Sequence, residues 1–292
     1  MSDVICLKQL IGEEDFQKLN ELKTICTKQE NIFLKLELEF KLNISRMQNQ
    51  ESFAYVNEFF YYSGETLVGY LGIFSSGGET GELTGMVHPL YRRKGIFIRL
   101  YDLAKEECKR RKMQKVLLVC DRRSSSGLAF IEATGAAYSF SEYEMKLDNK
   151  KYVSQKEKNI VLRKAVNSDA NEIARQNFIC FGDKSGTEIM PEDDAKSNRI
   201  TYMIETESGV IGKIRVELNA DEGFIGGFGI LPAYRNKGYG KQALKSAVDL
   251  LLNENNAHHV ALEVAAHNKN ALNLYKSSGF VEESVTDYYE AQ

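Results

Sequence analysis

The chain has 292 residues, which at roughly 100–200 residues per domain implies two domains. Its 43% apolar and 27% charged residues describe an ordinary globular protein with ample core material. A net charge of −3 gives no whole-molecule field to draw in nucleic acid or anionic lipid, and no apolar run approaches the ~18 residues of a membrane span.

The start, MSDVICLKQL, has no basic segment followed by an apolar run, so no signal peptide is expected. Helices are expected over about residues 13–42. From Phe53 onward comes an α/β segment that the second half repeats. A polar run, DNKKYVSQKEKN, predicts a linker over residues 149–159, between domains at 1–148 and 160–292. In the second domain the expected order is a strand over 160–166 and a helix from Ser168, as N-cap, to about 178. Strands follow over 199–205, 210–217 and 224–230. An amphipathic helix over 237–252 has Ala243, Leu244, Ala247, Val248 and Leu251 on one face. A strand over 259–265, a helix over 269–277 and a closing hairpin near 281–289 complete it.

Cys6, Cys26, Cys108, Cys120 and Cys180 are scattered, odd in number and form no CxxC pair. That pattern predicts neither a disulfide framework nor a zinc site, and it fits a reducing, cytoplasmic setting. His258 and His259 are adjacent and point apart on a strand, so no metal is expected.

The two halves share a sequence echo. Val87-His88-Pro89-Leu90-Tyr91-Arg92-Arg93-Lys94-Gly95 returns as Ile230-Leu231-Pro232-Ala233-Tyr234-Arg235-Asn236-Lys237-Gly238, at an offset of 143 (232 − 89). Thr134-Gly135-Ala136 returns as Ser278-Gly279-Phe280 at an offset of 144 (279 − 135). A period this long signals a duplicated domain rather than a solenoid.

In the second copy Arg235-Asn236-Lys237-Gly238-Tyr239-Gly240 joins an apolar strand to a helix. Helix starts offer unpaired N–H groups and a positive dipole end. The two glycines permit a concave nest of amides and close approach, and Lys237 adds charge. A pyrophosphate is the natural guest. The dinucleotide fingerprint G-x-G-x-x-G is absent, which disfavours a Rossmann unit.

This segment, with Gly229 before it, resembles the pyrophosphate-binding motif of the GNAT acetyltransferase superfamily. Leu262-Glu263-Val264, Asn268, Ala271, Leu274-Tyr275 and Gly279-Phe280 resemble the motif that follows it there. The resemblance implies an α/β (α+β) fold: two tandem GNAT-like domains, each with a mixed, mostly antiparallel sheet flanked by helices. It implies an acyl-CoA, usually acetyl-CoA, and transfer to a small-molecule or peptide amine. Its cofactor residues would be Phe228, Gly229, Ile230, Arg235 to Gly240, Asn268 and Tyr275. The first-half counterparts are Met86, Val87, Arg92, Arg93, Lys94, Gly95, Ile96 and Phe97.

Acyl transfer needs a base for the amine and an acid for the departing thiolate. Glu263 lies on an otherwise apolar strand, opposite in face to Val260, Leu262 and Val264, where partial desolvation suits a base. Ribosomal-protein alanine acetyltransferases carry a glutamate in this Leu-Glu-Val setting with a tyrosine twelve residues on. Tyr275 stands at that spacing, and Tyr288-Tyr289 is similar to their C-terminal pair. A phenol can donate a proton at neutral pH, so Tyr275 is the candidate acid. Asn268 is expected to cap its helix, to bind pantetheine, or both. Glu222 is a second base candidate. With no cysteine expected in the cleft, direct attack is the expected order.

The first copy lacks this chemistry. Counted back from Gly135, Val119 stands for Glu263, Ser124 for Asn268 and Ile131 for Tyr275. Phe97 replaces the loop's last glycine. Glu82 and Tyr143 are candidate replacements. The basic run Lys105, Lys109, Arg110, Arg111, Lys112 and Lys115 reads as a solvated helix end, with a CoA phosphate contact as the alternative. Glu188, Glu192, Asp193 and Asp194 hint at a cationic acceptor. The competing functional reading is a non-catalytic acyl-CoA sensor or scaffold with two binding sites.

Overall fold

Alternating and 3.6-residue hydrophobic patterns resolve into the same run of elements in each half of the computed structural model. It describes residues 2–47, 55–75, 79–154, 159–183, 190–219, 222–254 and 256–292. Phe53 and Glu188 lie outside the described residues. Contacts divide the chain into unit 1, Met1–Ser141 with Ser284–Gln292, and unit 2, Glu142–Glu283.

Unit 1 contains β1 (Asp3–Lys8), α1 (Glu13–Glu30), α2 (Leu38–Met47), β2 (Glu58–Ser63), β3 (Thr66–Phe74), β4 (Thr80–Val87), α3 (Ile96–Arg110), β5 (Lys115–Asp121) and α4 (Ser125–Thr134). β6 (Ala137–Leu147) leads out of it. Unit 2 contains β7 (Val161–Lys164), α5 (Ala170–Phe181), α6 (Pro191–Ala195), β8 (Arg199–Thr206), β9 (Gly209–Asn219), β10 (Glu222–Ile230), α7 (Tyr239–Asp249), β11 (His259–Ala265) and α8 (Lys269–Lys276). β12 (Phe280–Glu290) ends the chain's regular structure. Within each unit the described strand pairs are antiparallel except β4–β5 and β10–β11, which run parallel. A parallel step needs a helical crossover, supplied by α3 and α7.

The core of unit 2 forms where Ala243, Leu244, Ala247 and Val248 of α7 meet Ile214, Val216, Val260 and Leu262 of the sheet. Each fully buried Leu or Val there contributes ~1.5–3 kcal/mol. Unit 1 repeats this with Leu100 and Ala104 of α3 against Val68, Leu71 and Leu118.

Three sequence expectations differ from the structure. The closing hairpin is one eleven-residue strand, β12, whose residues 286–290 pair with β5 of unit 1. Reciprocally, residues 142–146 of β6 pair with β11 of unit 2. The units therefore exchange their last strands, and a cut at 148 follows neither exchange. The first part of the polar run read as a linker is docked on unit 2, where the Tyr152 hydroxyl donates to the Lys245 carbonyl and Asp249 on α7; residues 155–158 lie outside the described residues. Ser168 is not the cap. Asp169 holds the N-cap position without a side-chain bond to the helix; its carboxylate instead accepts from the preceding Val166 N–H at 2.9 Å and pairs with Arg163.

Candidate active site

β10 and β11 pair from Glu222↔His259 to Ile225↔Leu262 and then separate. The cause lies on the other edge of β10. Between Gly226 and Gly229 one extra residue is inserted against β9, with Gly227 at φ +52. Such a bulge bends and twists its strand. The Lys213 ammonium donates to the Gly227 carbonyl at 3.0 Å and pins the bulge. Beyond the separation point lie Phe228, Gly229 and Ile230 on one side and Glu263 on the other.

After Ile230, Pro232–Tyr234 make a tight 3-10 turn, Asn236 takes φ +61 and Gly238 takes φ +83. Left-handed residues interleaved with ordinary ones turn successive N–H groups to one side. α7 starts at Tyr239, and Gly238 supplies no side-chain cap. The first-turn amides of Tyr239, Gly240 and Lys241 thus have no partner within the helix. A Cβ at Gly238 would meet nothing within 4 Å, so the loop's face is open. Arg235 does not point into the loop. Its Nε donates to the Ile230 carbonyl at 2.8 Å and holds the strand end. Lys237 lies over the Tyr234 ring, 5.6 Å from its centroid.

Glu263 is the first residue past the last β10–β11 pair and is half-buried. Its cross-strand partner on β6 is Glu144. Tyr275 is 7% exposed, set edge-on to Phe280, and burial pushes its phenol up to about 12. That keeps it protonated, as a donor must be. Asn268 caps α8 by accepting from the Ala271 N–H at 3.2 Å. Glu222 is not brought to this site. It lies exposed at the opposite end of β10, at ~3.3 Å per residue some 13 Å before Gly226. Tyr288 and Tyr289 belong to unit 1, where Tyr288 stacks on Phe140 and accepts from Lys35.

Cys180 overturns the expectation of a cysteine-free cleft. At the end of α5 its Sγ lies 3.9 Å from the Ile230 carbonyl, and a Cβ at Gly229 would stand 2.9 Å from it. Sequence reasoning also passed over Lys213 and Arg215. In Lys213-Ile214-Arg215-Val216-Glu217 charge alternates with apolar residues, the signature of a solvated face, but α5 covers that face.

Unit 1 repeats the separation. β4 and β5 pair from Thr80↔Lys115 to Leu83↔Leu118, leaving Val119 where Glu263 stands. Arg93 and Gly95 take φ +64 and +75, and Arg92 Nε donates to the Val87 carbonyl at 3.1 Å. Met86 and Val87 are buried, and Ile96 opens α3 from inside the core. Lys94 lies over the Tyr91 ring. Phe97 turns away from the loop onto Gly85 and meets Phe130 edge-on at 4.7 Å. In unit 2 the bulky residue is Phe228 and the small one Gly240, so the copies exchange large and small at one contact. Ile131 is core, and Ser124 caps α4. The Glu30 carboxylate pairs with Arg92 and accepts from Ser124 and Ser126. It thus bridges the loop to the start of α4. Tyr143 packs in unit 2 rather than serving unit 1. Arg110 and Arg111 pair with Glu107, which holds its carboxyl at about 2 against burial. That fits the structural reading of the basic run.

The acetyltransferase (GNAT) family profile matches twice, over residues 19–135 and 168–280. The chain belongs to the GNAT acetyltransferase family, as two tandem copies of its domain. An uncharacterized N-acetyltransferase of Bacillus subtilis, YycN, is 30% identical over 122 residues, 40% of this chain and 72% of that protein. An N-alpha-acetyltransferase of Sulfurisphaera tokodaii is 26% identical over 150 residues, 47% of this chain and 90% of that protein. A GCN5-related N-acetyltransferase from Sphaerobacter thermophilus shares the fold across 99% of this chain and 95% of its own, with a TM-score of 0.78 at 16% identity. A tandem GNAT protein from the clavulanic acid biosynthesis pathway aligns over 99% and 98% at 0.74 and 15%.

Proposed function

We propose that the chain transfers the acetyl group of acetyl-CoA to a primary amine, and that unit 2 does the chemistry. The observation that carries this is the site's composition: an open amide loop at the start of α7, the parted β10–β11 edge, and a carboxylate and a buried phenol beside it. The loop from Arg235 to Gly240 takes the pyrophosphate on the Tyr239, Gly240 and Lys241 amides, with Lys237 adding charge. The unpaired edge of Phe228, Gly229 and Ile230 receives the pantetheine and polarises the thioester carbonyl. Glu263 accepts the proton of the amine, directly or through one water. The amine nitrogen attacks the carbonyl carbon, the C–S bond breaks, and Tyr275 gives its proton to the leaving thiolate.

Unit 1 has no counterpart of either group. Glu30 bridging Arg92, Ser124 and Ser126 puts a carboxylate where the pantetheine would leave the loop, which argues against the two-site sensor. Attack is direct, since Glu263 and Tyr275 suffice for both proton transfers. Thiol release from acetyl-CoA with a panel of amines tests the reading. Turnover is expected, and Cys180→Ser should retain it; an acetylated Cys180 accumulating before product would contradict direct attack.

A further inference from the structure

On the face of the unit 2 sheet that α5 covers, pairing aligns three rows. Met203, Lys213 and Gly229 form one, Thr201, Arg215 and Gly226 the next, and Arg199, Glu217 and Phe224 the third. Phe224 pairs with Ala261 on β11, so Glu263, two residues on, faces the same side. Glu144 joins it from β6. On this face β11 and β6 carry Glu263 and Glu144, with Lys146 opposite Ala261, while β9 carries Lys213 and Arg215, with Glu217 paired to Arg215 and Arg199.

Lys213 is 5% exposed. Its ammonium has the Gly227 carbonyl and, 5.2 Å away, the Phe181 ring. Among the described residues no carboxylate lies within ion-pair distance of it. Arg215 pairs with Glu217 at 2.8 Å. Both cationic heads converge on the bulge: a Cβ at Gly227 would stand 3.3 Å from Lys213 Nζ and 3.8 Å from Arg215 Nη1. Gly226 and Gly227 carry no side chain to cover them. Unit 1 handles a buried lysine differently, pairing Lys41 with Glu58 at 2.9 Å. A buried ammonium without a counter-ion is costly, and a ligand anion relieves that cost. On α5, Gln176 is fully buried with an unpartnered Oε1 and shares a helix face with Ile173 and Cys180, which contact the sheet. Its Nε2 donates to Glu172 at 2.8 Å, which leaves the Oε1 alone unsatisfied by the protein.

We infer that Lys213 and Arg215 bind an anionic group of the acceptor, which is therefore a small zwitterionic amine. Its amino group lies toward Glu263 and Glu144, and its carboxylate or phosphate toward Lys213 and Arg215. Neighbouring strands are ~4.8 Å apart, so β9 and β11 stand ~10 Å apart, a span that two long side chains and an amino-acid-sized molecule fill. The basic residues outweigh the hint drawn from Glu192, Asp193 and Asp194, since Asp193 pairs with Lys196 at the surface. The inference rests on acetyl transfer in unit 2.

Matched amines test it: a neutral amine, its carboxylate analogue and its phosphate analogue, with thiol release as readout and acetyl-CoA affinity measured separately by calorimetry. The wild type should favour one anionic member, and the two anionic arms tell carboxylate from phosphate. In Lys213→Met and in Arg215→Met that preference should fall by ~10²-fold, mainly through KM. Lys213→Arg should restore much of it. Turnover without preference for either anion, or a preference surviving both substitutions, overturns the anion site and leaves acetyl transfer standing. Absence of acetyl-CoA binding and of turnover with every amine overturns both.

Discussion

Tyr275 and Lys213 are both buried, and burial drives both toward their neutral forms. For Tyr275 this suits the proposed role, because a general acid must carry its proton. For Lys213 it is a cost, because desolvation together with Arg215 lowers the ammonium to about 8 from 10.5. Between those values the unfolded chain binds more protons, so stability rises with pH across that window. Below about pH 8 the charged form is buried, at a cost of about 3 kcal/mol. Tyr275 works in the opposite sense from about pH 10 upward, where the unfolded phenol ionises first. Lys213→Met should therefore be more stable than the wild type at pH 7, with the gap closing by pH 10. Urea midpoints at pH 7, 8.5 and 10 check this; a gap that stays constant would show that the folded protein does not lower the Lys213 ammonium and keeps it charged across the range. The roles proposed for Glu263 and Tyr275 come from the sequence, where the two residue types stand at a fixed spacing. Lys213 was not, because a strand's polar face reads as solvent until the helix that covers it is known.

Among the elements, the loop between β10 and α7 and its unit 1 twin offer a controlled comparison. Gly238 and Gly95 both sit in the left-handed region, and a Cβ would meet nothing within 4 Å at the first and only Ile98, at 4.0 Å, at the second. Substitution by alanine at either costs ~1–2 kcal/mol, almost all of it backbone strain. Only Gly238→Ala should also weaken acetyl-CoA binding, which calorimetry on both variants would read. Equal loss of affinity in both would mean that unit 1 binds too. Most strands and helices of unit 2 follow from periodicity, and β11 falls where its apolar run places it. Register does not follow. Glu144 beside Glu263, and Cys180 against Gly229, depend on which strand pairs with which. That Phe97 turns onto Gly85 was not legible, because Gly85 is twelve positions earlier in sequence and adjacent only in the fold.

In the whole molecule, duplication was visible in the 143-residue echo, whereas the exchange of last strands was not. β6 and β12 carry no marker of which sheet they complete, since apolar alternation suits either one. The duplication does not duplicate the proposed chemistry: unit 1 has Val119 at the position of the proposed base and Ile131 at that of the proposed acid, and Arg92 is held by Glu30. Calorimetric titration with acetyl-CoA should accordingly count one site per chain. A count of two would restore the two-site reading. Whether unit 2 alone performs the transfer is read by thiol release in Glu263→Gln and Tyr275→Phe, beside Arg92→Ala in unit 1. Turnover should fall by ~10²–10⁴-fold in the two unit 2 variants and stay near the wild-type rate in Arg92→Ala. Full activity in both Glu263→Gln and Tyr275→Phe, or its collapse in Arg92→Ala alone, would contradict transfer by unit 2 alone.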